Sequence, residues 1–222
     1  MKKSKNQSPK KRWATKDVMH QIYENHLWGG AEFDFYSGDG SHVDAITEPY
    51  IKEVSAFLKS FESPLVVCDV GCGDFNIGNQ LIGFSEKYFA VDIVPALIER
   101  NKARFKNDNL EFLCLDICEA DLPKADCIFV RQVLQHLSNA EIQSFLSQLK
   151  NYPYCIVTEH IPNGDYEPNI DMVTGMGNRV KKKSGVAIMA HPFNFKPIAS
   201  YELLRIVLDD ESSIQTMVYQ NF

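Results

Sequence analysis

The sequence contains no run of about 20 consecutive apolar residues, the length that a helix needs to cross a bilayer. Its lysine-rich beginning is not followed by the apolar stretch of a secretory signal peptide. The 222 residues are nevertheless 45% hydrophobic and 11% aromatic. A chain of this size buries roughly 70% of its unfolded surface. These features exclude a disordered or membrane-spanning protein and predict a cytoplasmic one with a single large domain.

Basic residues are scarce after the first twelve positions. Residues 1–12 hold six of the 23 basic residues and none of the 29 acidic ones, which leaves the remainder with a net charge near −12. Affinity for nucleic acid depends largely on neutralising phosphates, so no general nucleic-acid binding is expected. Residues 1–14 are predicted to form a flexible basic tail.

The six cysteines lack the close spacing that zinc sites usually show. Most lie among apolar neighbours, which favours buried, reduced thiols and no metal site. Reduced cysteine is typical of a cytosolic enzyme. Their positions are 68, 72, 114, 118, 127 and 155.

Apolar runs alternate with segments of helical periodicity. Helices are predicted near 15–28, 44–60, 95–105 and 139–149. Strands are predicted at 64–70, 88–91, 110–115, 125–130 and 154–158, followed by an antiparallel pair at 201–208 and 214–220. This order predicts an α/β fold with a mostly parallel sheet covered on both faces. Residues 15–62 are interpreted as a helical cap with a lid loop, and residues 63–222 as the core with an insertion at about 160–197.

Three aspartates mark the ends of consecutive predicted strands. Asp69 precedes the turn made by Gly71 and Gly73, while Asp92 and Asp116 end the next two strands. Open parallel sheets bind ligands at this edge. A dinucleotide site would have a third glycine at position 76, which here is asparagine. An acid-rich pocket suits S-adenosylmethionine, which carries a sulfonium and an ammonium, better than it suits a pyrophosphate.

The ordered motifs resemble those of class I S-adenosylmethionine-dependent methyltransferases over about residues 64–160. They are Asp-Val-Gly-Cys-Gly at 69–73, Asp92, Leu-Asp-Ile at 115–117 and Arg-Gln-Val-Leu-Gln-His-Leu at 131–137. The resemblance implies a Rossmann-like, mostly parallel seven-stranded sheet with helices on both faces and an antiparallel C-terminal strand pair. It also implies S-adenosylmethionine as cofactor and S-adenosylhomocysteine as product. Asp74 and Phe75 stand where many members have a further glycine.

The same resemblance assigns cofactor contacts. Asp92 would hold the ribose, and Asp116 would accept a hydrogen bond from the adenine amino group. Each aspartate alone can instead cap a turn or satisfy loop amides. The implied cofactor-binding residues are Asp69, Gly71, Cys72, Gly73, Asp92, Ile93, Asp116, Ile117, Arg131 and Gln132.

Three residues are candidates for catalysis. His136 is similar in position to the histidine of a Glu-x-x-Glu-His stretch in some O-methyltransferases, although glutamines replace both glutamates and so argue against a metal. Glu159 and His160 follow the predicted fifth strand and would face the ligand. His136 can instead be a histidine bonded to backbone, and Glu159 can simply end its strand. The candidate acceptor-binding residues are Tyr36, Ser37, His42, Asn169 and Arg179.

The favoured function is O-methylation of a small-molecule or saccharide-type acceptor. A protein or nucleic-acid methyltransferase is the second hypothesis, disfavoured by the acidic body and by Arg131-Gln132 where an Asn/Asp-Pro-Pro-Tyr/Phe motif would stand. A non-catalytic binding module of the same fold and a nicotinamide oxidoreductase are the remaining alternatives. No membrane partner is expected, and the sequence leaves the oligomeric state open.

Overall fold

The computed structural model describes residues 13–222, so nearly all of the predicted basic tail lies outside the described residues. The helices are α1 (Thr15–Glu24), α2 (Asp44–Lys59), α3 (Pro95–Arg104) and α4 (Asn139–Leu149). The strands are β1 (Leu65–Val70), β2 (Ser85–Asp92), β3 (Leu110–Cys114), β4 (Cys127–Arg131), β5 (Tyr154–Pro162), β6 (Ala199–Val207) and β7 (Ser212–Gln220).

All seven strands belong to one sheet with the order β3-β2-β1-β4-β5-β7-β6. The first five are parallel to their neighbours, while β7 pairs antiparallel with both β5 and β6. The predicted fold class is therefore confirmed. Because the chain passes from β1 outward to β2 and β3 and then returns to β4, the carboxyl ends of β1 and β4 border a crevice of the kind that binds ligands.

The sheet is buried on both faces. In β1, Val67 packs in a core with Val54 and Phe57 of α2, whereas Cys68 packs in a second core with Phe145 of α4. Successive side chains of a strand point to opposite faces, so each strand contributes to both cores. This is the near-continuous apolar pattern that predicted a covered parallel sheet.

Strand β5 is longer than the sequence predicted. It continues past 158 to Pro162 because β7 pairs with it in antiparallel register, Glu159 opposite Gln215 and His160 opposite Ile214. The periodicity of a sequence does not show which strands pair, so the extension of β5 was not predicted. Glu159 and His160 therefore lie within a strand and not in a loop after it. Helix α1 is shorter than predicted and ends at Glu24.

Two long loops flank the carboxyl edge of the sheet. Residues 25–43 contain one 3-10 turn, Asp39–Ser41, and form the lid loop. Residues 163–198 contain one further 3-10 turn, Val180–Lys182, and are called the insertion below. Asn169 and Arg179 of the insertion are buried. Among residues 13–222, no helix is both long enough and apolar enough to cross a membrane.

The cysteines are free and only partly follow the prediction. Cys68, Cys127 and Cys155 are buried, as their apolar neighbours indicated. Cys114 is exposed, because it ends β3 at the edge of the sheet where no further strand covers it. Cys72 and Cys118 are half-buried.

Phe75 fills the core from inside the glycine turn. Its φ is 65°, its side chain is fully buried, and its ring makes edge contacts with Tyr88, Phe105 and Phe112. A side chain at Gly78 would clash with this ring, so that glycine provides the space for it. Asp74 and Phe75 stand where many family members have a further glycine, and the buried packing of the Phe75 ring compensates for that replacement.

We expect Phe75→Ala to lower the free energy of unfolding by about 3–5 kcal/mol, the usual loss for a buried phenylalanine. Phe222→Ala is the matched control, since Phe222 is 64% exposed and should change stability by less than about 0.5 kcal/mol. Equilibrium urea denaturation of both variants tests this. Equal losses for the two would contradict the packing role of Phe75.

Candidate active site

A cleft opens at the carboxyl edge of β1, β2 and β4. It holds about 820 Å³ of empty space, part of it open to solvent. Its walls come from α1, the lid loop and the strand ends, namely Thr15, Met19, Tyr23, Trp28, Ser37, Ser41, Gly71, Cys72, Gly73, Asp92, Ile93, Asp116, Ile117, Cys118, Arg131, Gln132, Val133, His136 and Leu137.

The glycine turn exposes bare backbone to the cleft. Gly71 and Gly73 have φ values of 71° and 56°, a region that glycine adopts without steric cost. The amide of Gly71 donates to the carbonyl of Val91 at 2.8 Å, which folds the turn over the end of β2. A side chain at Gly73 would clash with Ser37 of the lid loop, so the two loops pack directly against each other.

Asp92 is buried at the base of the cleft. Its two oxygens accept from the amides of Gly73 at 3.1 Å and Val94 at 3.0 Å. Burial raises the pKa of Asp92 above its ordinary value, while the amide donors act in the opposite direction. Each carboxylate oxygen can accept more than one hydrogen bond, so Asp92 keeps capacity for a ligand hydroxyl.

Asp116 lies on the neighbouring wall. It accepts from the amide of Cys118 at 2.9 Å, and Ile93 and Ile117 supply apolar surface beside it. The structure thus brings two of the three predicted carboxylates into one cleft.

Asp69 does not line this cleft. It faces a smaller cavity beneath the glycine turn, where the hydroxyl of Tyr88 donates to it at 2.9 Å. Burial raises the pKa of Asp69 to about 7. This cavity shares Gly71, Cys72 and Arg131 with the cleft, and the cofactor contact of Asp69 stays a prediction.

Arg131 is a cation without an acidic partner within 4 Å in residues 13–222. Its guanidinium lies 4.8 Å from the ring centre of Tyr50, and Nη2 donates to the carbonyl of Gly40. Its buried Nε has no hydrogen-bond partner in that part of the chain. Burial lowers the pKa of Arg131. The guanidinium of Arg131 therefore lies at the cleft without a carboxylate of the described residues to neutralise it.

Gln132 follows Arg131 in a left-handed conformation, with φ at 56°. Its amide donates to the carbonyl of Thr158 in β5 at 2.7 Å, which holds this conformation. A side chain at Gly40 would clash with Gln132, so the lid loop lies directly on it. Strained backbone of this kind is common at ligand sites.

His136 lines the cleft with both ring nitrogens already bonded. Nδ1 donates to the carbonyl of Gly177 at 3.0 Å, and Nε2 accepts from the side-chain amide of Gln135 at 3.2 Å. The amide orientation follows from the opposite end of Gln135, whose oxygen accepts from the amide of His160. The His136 ring packs on Trp28 at 5.1 Å. Burial lowers the pKa of His136 to about 4.

Glu159 and His160 lie outside the cleft walls. Glu159 is buried, and its oxygens accept from the amides of Leu134 and Gln135 at 3.1 and 2.9 Å. Burial raises the pKa of Glu159 to about 8. Nδ1 of His160 lies 3.2 Å from the side-chain amide of Asn178. Both residues lie within β5, paired with β7, and their predicted catalytic role stays a prediction.

Of the candidate acceptor residues, only Ser37 lines the cleft. Tyr36 and His42 stack on each other at 4.4 Å within the lid loop, and Nε2 of His42 bonds Asp74 at 2.6 Å. Asn169 and Arg179 are buried and bonded to backbone. The structure thus places Tyr36, His42, Asn169 and Arg179 outside the cleft walls, and their contact with an acceptor stays a prediction.

Sequence reasoning missed the wall that α1 provides. Thr15, Met19 and Tyr23 recur at four-residue spacing, which places them on one face of the helix. That spacing was visible, but an apolar stripe on a helix is equally typical of core packing. Only the position of α1 across the strand ends shows that this face borders the cleft.

Comparison with known proteins agrees with this geometry. Residues 67–152 match the model of a methyltransferase domain family. Over these residues the chain is similar to a methyltransferase domain. The N-methyltransferase NodS from Bradyrhizobium japonicum, solved in complex with S-adenosylhomocysteine, has a similar fold with a TM-score of 0.63. That match is 12% identical and covers 92% of this chain and 99% of NodS.

Two curated relatives extend the methyltransferase comparison. Malonyl-[acyl-carrier protein] O-methyltransferase of Acetivibrio thermocellus is 32% identical over 117 residues, 50% of this chain and 38% of that protein. An uncharacterized methyltransferase of Mycobacterium tuberculosis is 32% identical over 127 residues, 53% of this chain and 64% of that protein. The resemblance seen in the sequence is confirmed for family and fold, while the chain spans only part of these relatives' length.

We expect the His136 imidazole to stay neutral from pH 8 down to about pH 5, because burial holds its pKa near 4 and protonation occurs only below that value. Nitrogen-15 NMR of the imidazole should report protonated Nδ1 and bare Nε2 throughout this range. His136→Asn identifies the signals. A titration midpoint above pH 6 would contradict the buried, neutral state.

Proposed function

We propose that this protein is an S-adenosylmethionine-dependent methyltransferase that transfers a methyl group to oxygen on a small-molecule, saccharide-type acceptor. The observation that carries this proposal is the meeting of the glycine turn with Asp92 and Asp116 in one cleft. Such a site offers a carboxylate for ribose hydroxyls, a second acceptor for an amino group and bare backbone between them.

The residues present fit this cofactor. Asp92 would accept from the ribose hydroxyls, and Asp116 would accept from the adenine amino group between Ile93 and Ile117. Gly73 leaves space that a side chain would fill. Arg131, which lines the cleft, would receive the carboxylate of the methionine part. When bound, S-adenosylmethionine supplies a methyl group activated by its sulfonium.

The protein's contribution to catalysis would be alignment of the two reactants in the cleft. Met19, Trp28 and Leu137 cover the cleft with apolar surface. Holding two reactants in attack geometry can supply about 7–11 kcal/mol of the barrier reduction. His136 would act as a general base only if Gln135 released Nε2, and its low pKa makes it a weak one. We therefore propose His136 as part of the acceptor wall.

A small acceptor is supported by the shape and charge of the protein. The cleft lies between α1, the lid loop and the strand ends, which favours an acceptor small enough to enter between them. The body of the chain is acidic, which disfavours nucleic acid. Transfer to oxygen is supported by the relative named as a malonyl-[acyl-carrier protein] O-methyltransferase.

Turnover with a panel of hydroxyl compounds, including monosaccharides, tests the function. We expect calorimetry to show binding of S-adenosylmethionine and mass spectrometry to show S-adenosylhomocysteine with a methylated acceptor. Binding without turnover on any acceptor, including RNA and peptides, would support a non-catalytic module. Stabilisation by NAD but not by S-adenosylmethionine would contradict the proposal altogether.

We expect Asp92→Asn to weaken S-adenosylmethionine binding at least tenfold at pH 7.5. In the wild type, affinity should fall as the pH is lowered through the pKa of Asp92, because protonation removes an acceptor for ribose hydroxyls. Burial raises that pKa, so the loss should begin above the range of an ordinary aspartate. Calorimetry from pH 4.5 to 8 tests this.

The matched control is Asp121→Asn, since Asp121 is exposed and does not line the cleft. The affinity of Asp121→Asn for S-adenosylmethionine should equal that of the wild type at every pH. If Asp92→Asn bound S-adenosylmethionine with the wild-type affinity at every pH, the assignment of Asp92 to the ribose would be contradicted.

A further inference from the structure

The turn after β4 is hydrogen-bonded by two buried side chains, the carboxyl group of Glu159 and the guanidinium of Arg179. This turn, residues 133–137, contributes Val133, His136 and Leu137 to the cleft. Glu159 of β5 accepts from the amides of Leu134 and Gln135. The remaining polar groups of the turn face the insertion.

Arg179 of the insertion binds the carbonyl side of the same turn. Nη1 donates to the carbonyls of Leu134 and Gln135, both at 3.2 Å. Nη2 donates to the carbonyl of Leu137 at 2.8 Å. Glu159 and Arg179 therefore bind backbone groups of the same two residues, Glu159 their amides and Arg179 their carbonyls.

All five N–H donors of Arg179 have acceptors. Besides the three turn carbonyls, Nε donates to the carbonyl of Ile170 at 3.0 Å and Nη2 to the side-chain oxygen of Asn139 at 2.8 Å. The residue is completely buried. A guanidinium carries five donors in a fixed planar arrangement, whereas a lysine carries three on a flexible stem. The site is thus matched to arginine and leaves no donor for an acceptor molecule.

The insertion contacts the cleft wall at three further points. The amide of Gly175 donates to the carbonyl of His136 at 3.0 Å, and Nδ1 of His136 donates to Gly177. The indole of Trp28 donates to the carbonyl of Met176 at 3.1 Å. Residues 175–177 are therefore hydrogen-bonded to both the Trp28 and the His136 rings. Arg179 follows this segment by two residues and fixes it to the turn.

We propose that Arg179 and Glu159 are positioning residues that fix the side of the cleft formed by His136 and Trp28. Through Arg179, the insertion aligns the acceptor. The affinity for the cofactor does not depend on Arg179 or Glu159. This rests on the proposed function, since it treats that side of the cleft as the acceptor wall. The glycine turn, Asp92 and Asp116 are held by β1, β2 and β3 and make no hydrogen bond to Arg179.

The test uses Arg179→Lys, with Lys181→Ala as the matched control from the exposed part of the same loop. Trp28 reports on the wall once Trp13, the other tryptophan, is replaced in a Trp13→Phe background. We expect Arg179→Lys to raise acrylamide quenching of Trp28 at least twofold and to shift the His136 imidazole signals. Titration with S-adenosylhomocysteine should give an affinity within twofold of the wild type.

With the first acceptor found by the hydroxyl panel, Arg179→Lys should lower kcat at least tenfold and leave the KM for S-adenosylmethionine within twofold. Glu159→Gln retains one acceptor for the two amides and should show the same pattern more weakly. It also serves as the second variant if Arg179→Lys does not fold.

Unchanged Trp28 quenching and His136 signals in both variants would overturn the proposal, even if the melting temperature fell, because the residues would then be merely structural. Loss of S-adenosylhomocysteine binding in the folded variants would also overturn it. Failure of the wild type to bind S-adenosylhomocysteine would instead overturn the proposed function, and the Trp28 and His136 readouts would still test whether these residues fix the wall.

Discussion

The hydrogen bond from the Gly73 amide to the Asp92 carboxylate is the contact on which the site depends. It attaches the turn after β1 to the end of β2, and Asn101 of α3 secures the same glycine by donating to its carbonyl at 2.7 Å. A buried carboxylate is costly unless it is hydrogen-bonded, so Asp92 and the turn stabilise each other. The result is a loop whose backbone is held open toward the cleft.

The two sides of the cleft are fixed by different means. The side proposed for the cofactor is formed by parallel strand ends, whose register places Asp92 one residue beyond the Val70 and Val91 pair. The opposite side is a 3-10 turn attached to β5 through Glu159 and to the insertion through Arg179. A sheet edge tolerates little movement, whereas a loop can change in sequence without disturbing the core. Such a division is suited to a constant cofactor and a variable acceptor.

Much of the fold could be predicted because its signals are local. The apolar run at 64–70 and the glycines after it identified β1 and its turn, and Asp92 and Asp116 followed from the ends of the next strands. Glu159 and His160 were misplaced because antiparallel pairing with a strand some 55 residues later extends β5. Arg179 was predicted to reach an acceptor, since nothing in a Lys- and Gly-rich loop indicates that its arginine is buried.

The sequence by itself determined the order of strands and helices, the covered sheet and the carboxylates at its ligand edge, because periodicity and turn residues act over a few positions. Only the tertiary structure decided which polar side chains are free. The sequence shows that His136 and Arg179 are polar but not what they bind. In the structure, Gly177 of the insertion accepts from His136, and the carbonyl of Leu137 accepts from Arg179. Whether a side chain binds ligand or protein depends on the partners that folding brings to it.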